Sequence, residues 1–279
     1  MKIFICMLGV LLSFCGTPKS NQGEEIALLA LLPQATTTDA TSSTSCPPST
    51  IPDGILLADT VTYALAVEGS AFGDSSKMTG AICGAGENSG GVDVFSLAQT
   101  GDSSYVVLEW AGKSVSNISG TDFIVYENPF NYSSGSGAFM EPIIVEVSRD
   151  NSTWCGFPIN YKGSNGDKTA YSQIASDWEY FAGLTPVTYN MTTSTYTSSD
   201  LFAGSGGGDS FDLDNLTSSS DCSAAEVSSI QASGFTYLRL TAASARTNSD
   251  TGSAYPTDSG AFGGGPDIDG VIANQVTDR

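Results

Sequence analysis

The stretch that decides the fold is EPIIVEVS, which runs from Glu141 to Ser148. Ile143, Val145 and Val147 fall on every second position of this stretch. Successive side chains of an extended chain point to opposite sides, so these three residues share one face. The stretch therefore predicts a β-strand with one buried face.

Other parts of the chain repeat this pattern and are separated by turn-forming clusters such as SSGSG and SGGGD. The clearest runs are SYVVLEW (104–110), TDFIVYEN (121–128) and FTYLRLTAA (235–243). They are rich in Val, Ile, Tyr and Phe, which suit a pleated, half-buried surface. One short helix is expected in 221–234, with Asp221 or Ser223 as its N-cap and Gly234 at its end. The pattern predicts an all-β fold, an antiparallel β-sandwich of jelly-roll, galactose-binding-like type.

The amino-acid composition argues against several classes of function. The chain has 279 residues, with 10 Lys and Arg against 30 Asp and Glu, a net charge of −20 and no histidine. Such an acidic chain is a poor partner for nucleic acid, whose phosphates require a basic surface. Without histidine, neither a Ser-His-Asp nor a Cys-His nucleophile can form, and no His-ligated zinc site is possible. Carboxylate chemistry and the binding of hard cations remain.

The N-terminus is typical of an export signal. Residues 1–14 carry an apolar run, Ile3–Phe14, that is too short to span a bilayer. LLSF followed by Cys15 resembles a bacterial lipobox, which implies lipid attached to that cysteine; an ordinary secretory signal is the alternative. We expect a lipidated N-terminus and a Thr/Ser-rich tether over 15–52, followed by a single β-sandwich domain over 53–279. The layout predicts an exported protein that is lipid-anchored at the outer membrane or cell surface.

Four cysteines follow the predicted lipidation site. They are Cys46, Cys83, Cys155 and Cys222. An even number of cysteines in an exported chain favours two disulfides, and four cysteines allow three connectivities. The spacing leaves all three connectivities open.

Several short motifs follow one another along the chain: DFIVYEN (122–128), VEVSRDNSTW (145–154), GGGDSFDL (206–213) and DIDGVIA (267–273). In this order they resemble the DFxVFEN, VEVSxDGxxW and GGDxFDL motifs of a widespread bacterial cell-surface β-sandwich family. With its leader, the chain looks like a spirochaetal (Leptospira-type) surface lipoprotein. It departs from the family pattern near the end, where Pro266, Ile268 and Gly270 replace Phe, Leu and Ala. The resemblance implies a fold and a surface location but no reaction.

Two acidic glycine loops, GSGGGDSFDLDNL (204–216) and AFGGGPDIDGVIA (261–273), raise the question of a bound ion. A phosphate is disfavoured because the loops carry carboxylates and no lysine. Ca²⁺ prefers six to eight oxygen ligands, and the EF-hand pattern is absent, so a calcium site would be assembled from several loops. The candidate ligands are Asp209, Asp212, Asp214, Asp267, Asp269 and Glu127.

A structural explanation of the same residues stays open. Strand alternation would bury Phe211, Leu213 and Ile268 and leave the neighbouring aspartates in solvent. Glu127 lies on the core-side face of its predicted strand, where a carboxylate is costly unless it is paired or bound to a metal. Arg239 is the candidate structural partner and a cation is the functional one. A buried ion pair or a hydrogen-bonded carboxylate is favoured over a metal.

Three functions are compatible with these features. The first is a surface-displayed binding or adhesion module for an extracellular protein or glycan, with Ca²⁺ as a stabilising ion. The second is a carbohydrate-binding module that uses loop aromatics; the candidates are Phe130, Tyr132, Trp178 and Tyr180, while Trp154 is expected in the core. The third is a glycosidase that uses two carboxylates; the candidates are Glu127, Glu141, Glu146 and Glu179. We expect the binding role, with no catalytic residue and with membrane contact only through the lipid.

Overall fold

The computed structural model describes residues 46–131, 138–163, 174–256 and 264–279. The predicted signal peptide, Cys15, the tether up to residue 45 and Tyr132 lie outside the described residues. The described residues belong to one unit, Ser43–Arg279. Cys46, near the end of the predicted tether, is disulfide-bonded to Cys83.

Short β-strands make up most of the regular structure in the described ranges. The strands are β1 (Leu56–Leu57), β2 (Thr60–Ala64), β3 (Phe95–Ser96), β4 (Tyr105–Glu109), β5 (Lys113–Val115), β6 (Phe123–Tyr126), β7 (Phe130–Asn131), β8 (Ala138–Phe139), β9 (Ile143–Ser148), β10 (Cys155–Gly156), β11 (Asn160–Tyr161), β12 (Trp178–Glu179), β13 (Phe181–Ala182), β14 (Asp209–Phe211), β15 (Tyr237–Ala242), β16 (Asp267–Ile268), β17 (Gly270–Ala273) and β18 (Val276–Asp278). The helices are α1 (Lys77–Gly80), α2 (Ser198–Phe202) and α3 (Ala224–Ser233), and 3-10 turns cover Ala175–Asp177, Leu213–Asn215 and Ala243–Ala245. All named strand pairs in the described residues are antiparallel, which confirms the all-β prediction.

The larger sheet has the strand order β10-β9-β15-β4-β2, and β13 also pairs with β9. Strand β9 shows the alternation that the sequence predicts. Ile143, Val145 and Val147 are fully buried, whereas Ile144 and Glu146 on the other face are half-buried. On that outer face Arg239 of β15 lies opposite Glu146 and forms two hydrogen bonds of 2.8 Å with it.

The smaller sheet has the order β1-β17-β6-β14, and its central strand β6 is buried on both faces. Phe123 and Val125 belong to a hydrophobic cluster that also contains residues of the larger sheet, such as Leu240. Ile124 and Tyr126 belong to a second cluster, which contains loop residues together with residues of β1, β17 and α2. The two sheets therefore share one core, and the smaller sheet is covered on its far side as well.

Helix α3 begins and ends where the sequence predicts. The Ser223 side chain accepts a hydrogen bond from the backbone of Glu226, whose side chain accepts one from the backbone of Ser223, and Gly234 follows the last turn with φ of 75°. The second disulfide, Cys155–Cys222, joins the start of this segment to β10. Of the three possible connectivities, the structure has Cys46–Cys83 with Cys155–Cys222.

Candidate functional site

A cleft of about 480 Å³ opens where strand ends of both sheets meet. Its lining residues are Val67, Glu68, Gly69, Ser70, Ala71, Phe72, Ser96, Asn128, Phe130, Phe139, Glu141, Gly264 and Asp267. We call it the acidic cleft because three carboxylates line it and no Lys or Arg is among its described lining residues. Its volume lies in the range of small-molecule and cofactor sites, roughly 300–1,000 Å³.

Glu127 lies behind the wall of the acidic cleft and is only 1% exposed. It follows β6, and its Oε1 accepts a 2.9 Å hydrogen bond from the backbone amide of Asp267. Its Oε2 is buried and has no hydrogen-bond partner. Burial, and then repulsion from the Glu141 carboxylate, raise the pKa of Glu127 well above its ordinary value. The prediction that Arg239 neutralises Glu127 is wrong, because the guanidinium pairs with Glu146 on the outer sheet face.

Gly183 packs closely against this unpartnered oxygen and against the backbone of Glu141. A Cβ on Gly183 would stand 3.3 Å from Oε2 of Glu127 and 2.7 Å from the carbonyl oxygen of Glu141. The residue has φ of +81°, a conformation that favours glycine. The backbone of Glu141 thus approaches Gly183 too closely to admit a side chain at this position.

Asp267 is the second carboxylate of the acidic cleft that the sequence singled out. Ser96 donates a hydrogen bond to its Oδ1, and the Asn128 side chain is a further hydrogen-bond partner. Burial outweighs these hydrogen bonds and raises the pKa of Asp267. Glu141, which no motif indicated as a ligand, is 7% exposed and lines the same cleft.

Aromatic rings form the apolar side of the acidic cleft. Phe130 and Phe139 lie on the paired strands β7 and β8 and stack with their centroids 5.0 Å apart. Phe72 also lines the cleft and is 37% exposed. Of the aromatics predicted to bind sugars, Phe130 is therefore in a position to do so.

The remaining acidic candidates do not join this group. Asp209 accepts hydrogen bonds from the Leu184 amide at 2.9 Å and from the Thr185 hydroxyl at 2.8 Å. Burial raises its pKa to about 6. Asp269 is 2% exposed, and both of its oxygens accept from the Cys83 amide at 2.9 and 3.0 Å. Each of these two carboxylates is engaged by the protein itself.

Asp212 and Asp214 agree with the structural explanation, in which strand alternation keeps the aspartates out of the core. Asp212 caps the 3-10 turn by accepting from the Asp214 amide at 2.9 Å, and Asp214 is exposed and accepts from Asn117. Phe211 and Leu213 beside them are buried, as alternation predicts. For the loop at 267–269 the same explanation is wrong, because Asp269 faces inward to the Cys83 amide rather than to solvent.

Several other predicted binding or catalytic residues lie elsewhere. Glu179 is half-buried and pairs with Lys162 and Asn160, and the hydrogen bond from Lys162 holds its pKa below the ordinary value. Trp178 is 3% exposed and is a core residue, whereas Tyr180 is 40% exposed. Trp154 is only half-buried, and Arg239 stacks over its ring at 4.4 Å.

Metal ions and membranes were both expected partners. In the ranges that the structure describes, no group of three or more His, Cys, Asp or Glu side chains is arranged to hold a metal ion. No helix within those same ranges has the length and apolar character needed to cross a bilayer. Comparison of the chain with protein-family models, with curated proteins and with solved structures finds no match.

Proposed function

We propose that this chain is a surface-displayed binding module for an extracellular macromolecule, anchored at the outer membrane or cell surface by lipid on Cys15. The fold that supports this role is a β-sandwich of jelly-roll, galactose-binding-like type. Two antiparallel sheets with a common core support that assignment. The leader and the family resemblance support export and display.

The acidic cleft is the observation that carries the binding role. It is a concave site of ligand size at the strand ends, and it joins stacked aromatic rings to carboxylate, amide and hydroxyl groups. Such a mixture of apolar area and a few convergent polar groups is typical of ligand sites. The buried carboxylates beneath it are costly for folding, and a bound ligand would offset that cost.

A carbohydrate is the ligand that this lining favours. Sugar hydroxyl groups donate hydrogen bonds to carboxylates, here those of Glu141 and Asp267, and an amide such as that of Asn128 can both donate to and accept from them. Their C–H faces pack on aromatic rings, here those of Phe72 and Phe130. The carbohydrate-binding role is therefore the second, more specific candidate for the same site.

The test is binding of the full chain to an array of extracellular glycans, alongside a panel of extracellular matrix proteins. Phe130→Ala removes an aromatic wall of the cleft and is expected to weaken glycan binding roughly tenfold. Tyr196→Ala is the matched control, because Tyr196 is an exposed aromatic (39%) that does not line the cleft. Binding to proteins alone would reject the carbohydrate candidate, and binding to neither panel would contradict the proposed function.

A further inference from the structure

We propose that the ligand of the acidic cleft is a carbohydrate with free amino groups, whose positive charge Glu68 and Asp267 recognise. The inference rests on the proposed function, because it names the ligand class for the same cleft. It requires that these two carboxylates and the exposed ring of Phe72, all of which line the cleft, act on one ligand.

Ser96 holds two sides of the cleft in a fixed relationship. Its backbone amide donates a 2.9 Å hydrogen bond to the carbonyl of Phe72, and its carbonyl accepts a 3.0 Å hydrogen bond from the amide of Val67. Glu68 lies in the segment between these two anchored residues. The Ser96 hydroxyl also donates a hydrogen bond to Oδ1 of Asp267. The segment that carries Glu68 and Phe72 is therefore fixed relative to Asp267 before any ligand binds.

Among the described residues, neither carboxylate has a basic partner, since no Lys or Arg forms an ion pair with Glu68 or Asp267. Glu68 is exposed, and Asp267 is half-buried with uncharged side-chain partners, Ser96 and Asn128. Glu141 lines the same cleft but is engaged in a further interaction, and this charge does not depend on it. A concave site lined by charges of one sign attracts ligands of the opposite sign. The cleft thus disfavours an anionic ligand and favours a cationic one.

Phe72 adds an attraction for the same positive charge. Its ring lines the cleft and is 37% exposed. The face of an aromatic ring attracts an ammonium group, and the C–H face of a sugar ring packs on it as well. An amino sugar uses both properties of the ring together with the charge of the carboxylates, whereas a neutral sugar uses only packing and hydrogen bonds.

A lysine side chain is the competing source of an ammonium group. Beyond that group it offers no polar atom to the Ser70 hydroxyl, which also lines the cleft. This hydroxyl accepts a 3.0 Å hydrogen bond from the Phe72 amide, and its own proton has no acceptor among the described residues. A sugar hydroxyl can accept that proton. The lining therefore favours an amino sugar over a basic peptide.

Calorimetric titration of the full chain at pH 6 with two matched trisaccharides tests the proposal. One consists of glucosamine units, whose amino groups are protonated at this pH, and the other consists of the same units in N-acetylated, uncharged form. We expect the wild type to bind the amino form roughly tenfold more tightly in low salt, and the difference to shrink in 0.5 M NaCl.

Three variants separate the cleft from the general acidity of the chain. Glu68→Gln is expected to weaken binding of the amino form about threefold and Asp267→Asn about tenfold, because the second carboxylate is the less exposed. Neither change should affect the N-acetylated form as strongly. Asp214→Asn removes an equal charge from an exposed residue that does not line the cleft and should leave both affinities unchanged.

Equal or tighter binding of the N-acetylated form would overturn the proposal while leaving a carbohydrate-binding function in place. Equal losses in Asp214→Asn and Glu68→Gln would overturn it too, since the attraction would then belong to the whole acidic chain. Binding of an oligolysine peptide but of neither trisaccharide would identify a protein ligand instead. Binding of none of these three ligands, with no binding to the glycan and protein panels, would contradict the proposed function as well.

Discussion

The backbone amide of Asp267 donates a 2.9 Å hydrogen bond to Oε1 of Glu127, while Oε2 of the same carboxylate is buried without a partner. This contact joins the end of β6 to β16, two segments that lie 140 residues apart. It places a half-satisfied carboxylate directly behind the cleft that Asp267 lines. The structure thus combines a ligand-sized cleft with a buried carboxyl group that has a hydrogen-bond partner on only one of its oxygens.

Stability is expected to rise as the pH falls from 8 to 5. Asp122 is a fully buried residue just before β6, and its side chain accepts hydrogen bonds from the Ile118 and Leu213 amides. Burial raises the pKa values of Asp122 and Asp209 to about 6, above the ordinary value of 3.8. Between these values the folded state binds more protons than the unfolded state, so acidification stabilises the fold. The stabilisation is gained as pH falls through about 6 and is complete near the unfolded pKa.

Thermal midpoints across this pH range, measured in chelator, check the prediction. We expect an increase of a few degrees at pH 5 over pH 8. The measurement is repeated in 0.5 M NaCl, since high salt screens the general repulsion of the −20 net charge but has little effect on buried groups. A midpoint that falls between pH 8 and pH 5, or a rise that disappears in salt, would show that the two aspartates do not carry it.

Asp269→Ala is expected to lower the free energy of unfolding by about 1 to 3 kcal/mol. The substitution leaves the buried Cys83 amide without its acceptor, since both Asp269 oxygens receive that hydrogen bond. Asp214→Ala, at an exposed position, is the control and should change the free energy by less than about 0.5 kcal/mol. Urea unfolding measures both, and equal effects would show that the Asp269 contact has no structural role.

Replacement of Cys155 and Cys222 together by Ala is expected to destabilise the domain by about 4 kcal/mol. The loop between them spans 67 residues, and closing a loop of that length in the unfolded chain gives this estimate. Peptide mapping without reductant should recover Cys46 linked to Cys83 and Cys155 linked to Cys222. Any other linkage would contradict the fold, and urea unfolding measures the energetic cost.

Arg239→Lys is expected to lower the free energy of unfolding by about 1 kcal/mol and to alter the fluorescence of Trp154. A lysine can neither form the paired hydrogen bonds to Glu146 nor stack its end group on Trp154 as a planar guanidinium does. Lys162→Arg, on the exposed pair with Glu179, is the opposite exchange and should change neither quantity. Unaltered fluorescence in Arg239→Lys would contradict the stacked arrangement.

The strands of the larger sheet were predictable because one of their faces meets solvent. Ile143, Val145 and Val147 alternate with half-buried residues, and this alternation is enough to identify both the strand and its buried face. The caps of α3 were predictable for a similar reason, because Ser223, Glu226 and Gly234 satisfy backbone groups within their own segment.

The site was less predictable because it depends on how distant segments pack. Strand β6 is buried on both faces, so Phe123–Tyr126 carries no alternation that would reveal which side faces the other sheet. Asp269 faces inward only because the Cys83 loop covers it. Glu141 comes close to Glu127 only where the ends of the two sheets meet, and no spacing along the chain indicates that meeting.

Calorimetric titration of the full chain with the glycan that it retains best on the array tests the central claim most directly. The account predicts equal binding to the wild type and to Tyr196→Ala, and roughly tenfold weaker binding to Phe130→Ala. Absence of binding to the wild type, or undiminished binding to Phe130→Ala, would contradict it.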